Sequence, residues 1–534
     1  MSLLPMIGCW QPLQSPAFTP SEIKAIIECV RQPMIIVQHP QTGAIGVALS
    51  GQWSEQGYPV LASLAPMYPE WLGNRNFTET HGVRFPYASG AMANGIATEE
   101  LVIAMAKAGF MGFFGAAGLA VERVSQAIDR LQDVLGKGQP GWGSNLIHSP
   151  NEPELEEAIS NLYINREVRR VSAAAYMKLT PYVLRYALTG LHQDNQGVIH
   201  RKNYLFAKIS RPEVARHFMQ PAPRNMVNEL LAKGLISNEE ACLSQYVSVA
   251  EDYIIEADSG GHTDNQSMTA LVPIISMLRD EIQQQNALSR PMRLGAAGGI
   301  GTPQAVAAAF ALGIDFVVTG SVNQGCVESG LHSSGKELLA KVELADVMMA
   351  PAADMFELGV EVQVLKRGSM FGVRAKKLYE LYRSYSSLNE IPTSEREALE
   401  RNILCDSIAE SWNKTRAYWM ERDVREVTRA ETDSKHQMAL VFRSYLGLSS
   451  KWAIWGQTDR NMDYQIWCGP AMGAFNRWVS GSFLEQPQHR QVVQVARNML
   501  EGASVITRAQ QLRNFGVPVP AEAFAYPPRK IDNE

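Results

Sequence analysis

Arg293-Leu-Gly-Ala-Ala-Gly-Gly-Ile-Gly-Thr-Pro303, answered a short way on by Phe316-Val-Val-Thr-Gly-Ser321, decides the fold. Each stretch is a short apolar run that ends in small residues, and the first opens directly into a helix at Pro303. Glycines at such a turn let backbone N–H groups approach phosphate oxygens with no Cβ in the way, and the helix dipole favours the anion. In a TIM barrel the loops after the seventh and eighth strands commonly form this kind of pocket. The glycine order is G-x-x-G-G-x-G, which argues against the G-x-G-x-x-G turn of a Rossmann unit. A plainer reading, in which these glycines only let helix pack on strand, accounts less well for two such turns in succession.

Working outward, short apolar runs alternate with helix-period segments from about residue 83. The predicted strands are 84–88, 111–115, 143–147, 170–174, 204–209, 253–256, 293–297 and 316–319. Helices are expected between them at 98–108, 121–135, 153–163, 268–284 and 303–312, several with good caps or first-turn prolines. Eight strand–helix repeats imply an α/β fold, a (β/α)8 TIM barrel over residues 76–370. An irregular insertion is expected at about 221–248. Residues 1–75 read as a small β-rich unit with a hairpin turning at His39-Pro-Gln-Thr-Gly43. Residues 371–534 read as a helical C-terminal extension, a cap or a homodimerisation surface.

The 534 residues carry a formal charge of −5, an ordinary balance for a soluble enzyme that argues against nucleic acid as the main partner. Six scattered cysteines and ten histidines without metal-ligand spacing suggest neither a disulfide framework nor a zinc site. The uncharged run 294–314 is interrupted by glycines and Pro303, so it reads as buried soluble structure and not as a membrane span. The amino terminus lacks the basic start and apolar stretch of a signal peptide, and the cytoplasm is the expected compartment.

The sixth strand runs into Glu256-Ala-Asp-Ser-Gly-Gly-His-Thr-Asp264, at the same barrel end as the phosphate loops. Two glycines before His262 permit a sharp turn that lays the imidazole over a bound ring, where it can give or take a proton. Asp258 and Asp264 flank it; either could orient the ring, cap the next helix or face solvent. Lys208, near the end of the fifth strand, could stand beside charge that develops on a cofactor ring, or form a surface ion pair.

Taken together these motifs resemble the nitronate monooxygenase and flavin-dependent enoyl reductase superfamily, in which E-x-x-x-G-G-H precedes A-A-G-G-I and a small-residue phosphate turn. Ser89-Gly-Ala-Met-Ala93, Ala108-Gly-Phe-Met-Gly-Phe-Phe-Gly115 and Ser144-Asn145 match its amino-terminal half. More narrowly, the chain is similar to the PfaD-type trans-acting enoyl reductases of polyunsaturated fatty acid and polyketide synthases. Thr319-Gly-Ser-Val-Asn-Gln324, the stretch 336–346 and Arg374-Ala-Lys-Lys-Leu-Tyr-Glu-Leu-Tyr382 carry that likeness. The resemblance implies FMN as cofactor, NADPH or NADH as co-substrate, and acyl carrier protein domains as partners. It implies His262 as catalytic residue. It places Ala91, Met92, Asn145, Lys208, Glu256, Ser259, Gly260, Gly261, Ala297, Gly298, Gly299, Thr319, Gly320 and Ser321 around the cofactor. The chain departs from the pattern where Val322-Asn323 replaces an arginine-bearing turn, and where the fourth strand ends in Ala173-Ala-Ala-Tyr-Met177. A nitronate monooxygenase and a non-catalytic scaffold barrel are the competing readings.

Overall fold

The computed structural model describes residues 6–150 and 152–532. Eight parallel strands close into a barrel in chain order: Tyr87–Ser89, Met111–Phe114, Trp142–Ile147, Arg170–Ala174, Tyr204–Ile209, Asp252–Glu256, Arg293–Ala297 and Phe316–Thr319. The eighth strand pairs with the first through Val318 opposite Ala88 and Thr319 opposite Ser89, which closes the ring. Strands covered on both faces need continuous apolar runs, and every residue of the seventh and eighth is buried. Phe113, Phe206, Ile254, Phe316 and Val318 fill the interior. Helix Arg75–His81 plugs the lower end, where Phe77 stacks on Phe316 at 4.2 Å. Gly295 carries no side chain because the Phe316 ring already occupies the place where a Cβ would stand.

Charged residues at the strand starts form a buried network with this plug. Arg293 grips Asp252 with Nε and Nη2 at 2.6 and 2.8 Å, and His81 Nε2 lies 3.0 Å from the same carboxylate. Glu251, beside it, holds Arg201 Nε at 2.8 Å.

Seven helices of the outer ring follow their strands directly or after a short excursion. Residues 221–248 resolve into helices Arg224–Ala232 and Asn238–Leu243. The eighth position is filled from far along the chain: helix Val492–Asn514 packs between Pro303–Ala311 and Glu99–Lys107 and is buried along most of its length. Met499 touches the Tyr87 hydroxyl at 3.8 Å, and the Arg497 guanidinium lies 5.1 Å from the Phe85 ring centre. Residues 325–491 are thus a very long insertion in the last β/α loop. It holds an antiparallel ribbon, Val347–Pro351 with Glu361–Leu365, and a bundle of helices around Phe371, Leu378, Phe442 and Leu446.

The helical C-terminal region is therefore present, split between a bundle at the barrel mouth and one helix in the barrel wall. Residues 394–410 do not form one continuous helix. Cys405 takes a φ of +55°, and the Ser407 side chain accepts from the Glu410 amide to start a new helix, Ile408–Arg422. At the other end of the chain a five-stranded antiparallel sheet packs, with helix Pro20–Ile27, against Val505, Ala509 and Leu512 of the wall helix. Among the described residues no helix is long and apolar enough to cross a membrane.

Candidate functional site at the barrel mouth

All eight strands deliver their C-terminal ends to one face, and the sixth strand's continuation dominates it. Ala257 extends the barrel ladder by donating to Ala297 O at 2.8 Å. The chain then turns, with Gly261 at φ +85°, and Gly261 and His262 pair with Gln363 and Val362 as a third strand of the ribbon. Gln363 Nε2 fixes the turn by donating to Asp258 Oδ1 at 2.6 Å and Ser259 O at 2.7 Å. Gly260 is required by its neighbour, since a Cβ there would stand 2.7 Å from the Cys468 amide nitrogen.

His262 Nε2 lies 3.3 Å from Asp354 Oδ1, in the loop that joins the two ribbon strands, and 39% of the imidazole side chain remains exposed. Burial opposes charge on the ring. The hydrogen bond and charge of Asp354, with Glu256 adding to them, outweigh it and hold the imidazole above its ordinary pKa. Burial likewise pushes the Asp354 carboxyl up, and His262 pulls it below its usual range. The partner of His262 is therefore neither of its flanking aspartates. Asp258 is engaged by Gln363, and Asp264 by Ser210 at 2.6 Å and by Arg211. Lys208 stands at the mouth in an ion pair with Glu256 at 2.8 Å, and Ser259 Oγ donates to the same Glu256 oxygen at 3.3 Å.

The two glycine turns form an open cradle beside this group. Gly298 and Gly299 have φ of +82° and +69°, and a Cβ on Gly299 or Gly320 would meet nothing within 4 Å. Thr302 caps helix Pro303–Ala311 by accepting from Ala305 N at 3.2 Å, so the helix N-terminus follows the turn. A segment of the insertion, 467–471, lines the cradle. Gly469 N donates to Ser321 Oγ at 3.1 Å, Gln324 Nε2 donates to Trp467 O, and Gly301 has no room for a Cβ against Ala471 O.

The Thr319 hydroxyl lies 2.6 Å from that of Tyr87 and 3.0 Å from Asn323 Nδ2, tying the eighth strand to the first. Asn145 Oδ1 accepts from Ala116 and Ala117 amides at 2.7 and 3.2 Å, which shapes the second loop. Met92 and Ala91 lie in the first loop; Met92 O packs so tightly that a Cβ on Gly115 would overlap it, while Ala91 packs on the barrel interior with Ala297. The Ser89 hydroxyl, at the end of the first strand, is fully buried without a partner among the described residues. Open space against two glycine turns, a helix N-terminus and an orphaned hydroxyl fit a phosphate-bearing ligand at this end of the barrel. Asp354, Gln363 and Gly469 had no local sequence signal, because each lies far along the chain from the turn it touches.

Known proteins share this architecture. The chain is 36% identical to the enoyl reductase domain of MlnA from the macrolactin biosynthesis cluster of Bacillus amyloliquefaciens, with a TM-score of 0.79, covering 83% of this chain and 99% of that one. It is 44% identical, over 86% of its length, to a polyunsaturated fatty acid synthase subunit of Thraustochytrium sp., of which it spans 31%. It is 42% identical, over 82% of its length, to polyketide biosynthesis protein PksE of Bacillus subtilis, of which it spans 56%. The chain thus spans about a third to about half of these two curated relatives. Residues 385–464, within the insertion, match the inserted helical domain of acyl-carrier-protein S-malonyltransferase. The chain belongs to the family of enoyl reductases of polyunsaturated fatty acid and polyketide synthases.

Proposed function

We propose that the protein is an FMN-dependent enoyl reductase that acts in trans on carrier-bound trans-2-enoyl thioesters, with NADPH or NADH as hydride source. The observation that carries the proposal is the His262–Asp354 pair standing beside the open glycine cradle in a chain of this family. Gly298, Gly299, Gly320 and Ser321 would hold the cofactor's phosphate. Ala91, Met92, Asn145, Lys208, Glu256, Ser259, Gly260, Gly261 and Ala297 would surround the rest of it. When bound, FMN supplies a hydride carrier between the nicotinamide and Cβ of the enoyl group.

The protein's own groups handle charge and proton. Addition at Cβ builds negative charge on the thioester oxygen and leaves Cα in need of a proton. Asp354 occupies His262 Nε2, so Nδ1 would be the atom left to serve the reacting carbons or oxygen. The raised pKa favours the imidazolium, the form that can donate. Activity should therefore fall as pH rises through the His262 pKa. Asp354→Asn removes the stabilising carboxylate, so the alkaline limb of the kcat/KM profile should move to lower pH. An unmoved limb would separate Asp354 from catalysis.

Gly320→Leu tests the cradle. No protein atom lies within 4 Å of the added Cβ, so the side chain has room to enter the cradle, and the folded variant should lose bound FMN, read from the visible spectrum. The whole proposal is tested by anaerobic titration of the flavin with NADPH, followed by reoxidation with an enoyl-acyl carrier protein. A colourless protein, or one reoxidised only by oxygen in the presence of a nitronate, would overturn it.

A further inference from the structure

A second charged cluster lies where the helical insertion meets the barrel mouth. Helix Ile408–Arg422 reaches the loop after the third strand, with Arg422 Nε 2.6 Å from Glu152 and its Nη1 donating to the Tyr418 hydroxyl at 2.6 Å. Helix Ser434–Trp455 reaches the first loop, where Asn94 Nδ2 donates to Ser450 Oγ at 3.2 Å. Lys451 follows Ser450. Its ammonium stands 5.9 Å from the centre of the Tyr418 ring, and the Arg422 guanidinium stands 5.7 Å from the same ring.

Lys451 is partly buried, and among the described residues no carboxylate or carbonyl takes its ammonium. The chain's other partly buried lysines are all satisfied: Lys208 by Glu256, Lys336 by Val327 O and Ser329 O, and Lys435 by Tyr382 O and Tyr385 O. The unpaired lysines elsewhere are exposed. Burial and the neighbouring Arg422 charge hold the Lys451 ammonium below its ordinary pKa. Glu152 takes Arg422 through both Nε and Nη2 and answers the arginine's charge, which leaves the partly desolvated Lys451 with the face of the Tyr418 ring and no counter-charge among the described residues. An anion arriving from solution would supply the missing partner.

We propose that Lys451, with Arg422 and the Tyr418 hydroxyl, is a phosphate subsite at the rim of the barrel mouth. It goes beyond the glycine cradle, which lies at the sixth, seventh and eighth strands, whereas this seam lies at the first and third. The proposal rests on the enoyl reductase reading for its two phosphate sources: the phosphodiester of a pantetheine tether, and the phosphates of the nicotinamide dinucleotide. Lysine, arginine and a phenol together match a phosphate oxyanion.

The test compares Lys451→Met and Lys451→Arg in the FMN-loaded enzyme. Substrates are an enoyl thioester of N-acetylcysteamine, which has no phosphate, the same acyl group on phosphopantetheine, and NADPH. With Met, KM for the phosphopantetheine thioester should rise about tenfold relative to the N-acetylcysteamine thioester, and Arg should restore it. A rise confined to NADPH assigns the subsite to the dinucleotide instead. Equal KM changes for phosphate-bearing and phosphate-free substrates, or none at all, overturn the subsite. Calorimetric binding of inorganic pyrophosphate to the FMN-loaded protein, wild type against Lys451→Met, decides the subsite without turnover. A wild type that binds pyrophosphate through Lys451 but reduces no enoyl thioester would therefore sink the enoyl reductase reading alone.

Discussion

His262→Ala should cut turnover of a carrier-bound enoyl thioester by about two to four orders of magnitude, the usual share of a positioned acid–base group. The ring is well placed to be removed cleanly. It is 39% exposed, its side-chain partner among the described residues is Asp354, and its backbone is held by Gln363 and Val362 in the ribbon. Truncation should therefore leave the barrel, the cradle and FMN occupancy intact, so the loss should appear in kcat and kcat/KM equally. The measurement is steady-state reduction of an enoyl-acyl carrier protein by enzyme of matched flavin content. Wild-type turnover in that preparation removes His262 from the chemistry. Flavin reduction by NADPH in the half-reaction should be untouched, because no proton to Cα is needed there.

The second large effect lies at the opposite end of the barrel. Arg293→Met should lower unfolding free energy by about 3–5 kcal/mol, because it leaves Asp252 buried without its main counter-charge. Burial alone would raise the Asp252 carboxyl, but Arg293 and His81 hold it well below the carboxylate range. Denaturant midpoints at constant slope report the loss. Adding Asp252→Leu should return part of it, since both halves of the broken pair are then gone. His81 strengthens the case through pH. Burial depresses its pKa below the ordinary 6.5, so the unfolded chain takes up a proton there that the folded chain refuses. Stability should accordingly fall as pH drops below about 6.5. A single Arg293→Met loss under about 1 kcal/mol would mean that the network contributes little.

Much of the barrel was legible because its strands are buried on both faces and so spell themselves as uninterrupted apolar runs. Leu294 to Ala297 and Phe316 to Val318 leave little choice of role. The two glycine turns were legible for the opposite reason, as positions where side chains are excluded. The site's other half was hidden. Asp354, Gln363 and Gly469 reach the mouth through a ribbon and a return segment, and nothing in local periodicity says which distant turn a strand will pair with. Helix Val492–Asn514 falls within the C-terminal residues that read as helical, yet its period carries no label for the two barrel helices it separates. Lys208 shows the limit of residue type as a guide, since its charge alone does not name Glu256, on the neighbouring strand, as its partner.

The displaced eighth helix also sets the order in which this chain can finish folding. A ribosome that has released all eight strands has still not supplied the piece that seals the first helix to the seventh. The wall stays open until residues 492–514 emerge, and the apolar flanks of Leu101, Val306 and Met499 wait for one another across most of the sequence. The bundle at the mouth is consequently no tail that can be trimmed. Cutting the chain before residue 492 removes a stave from the barrel, whereas excising the insertion as a loop, with both its ends rejoined, keeps the wall whole but takes Asp354, Gln363 and Gly469 away from the mouth.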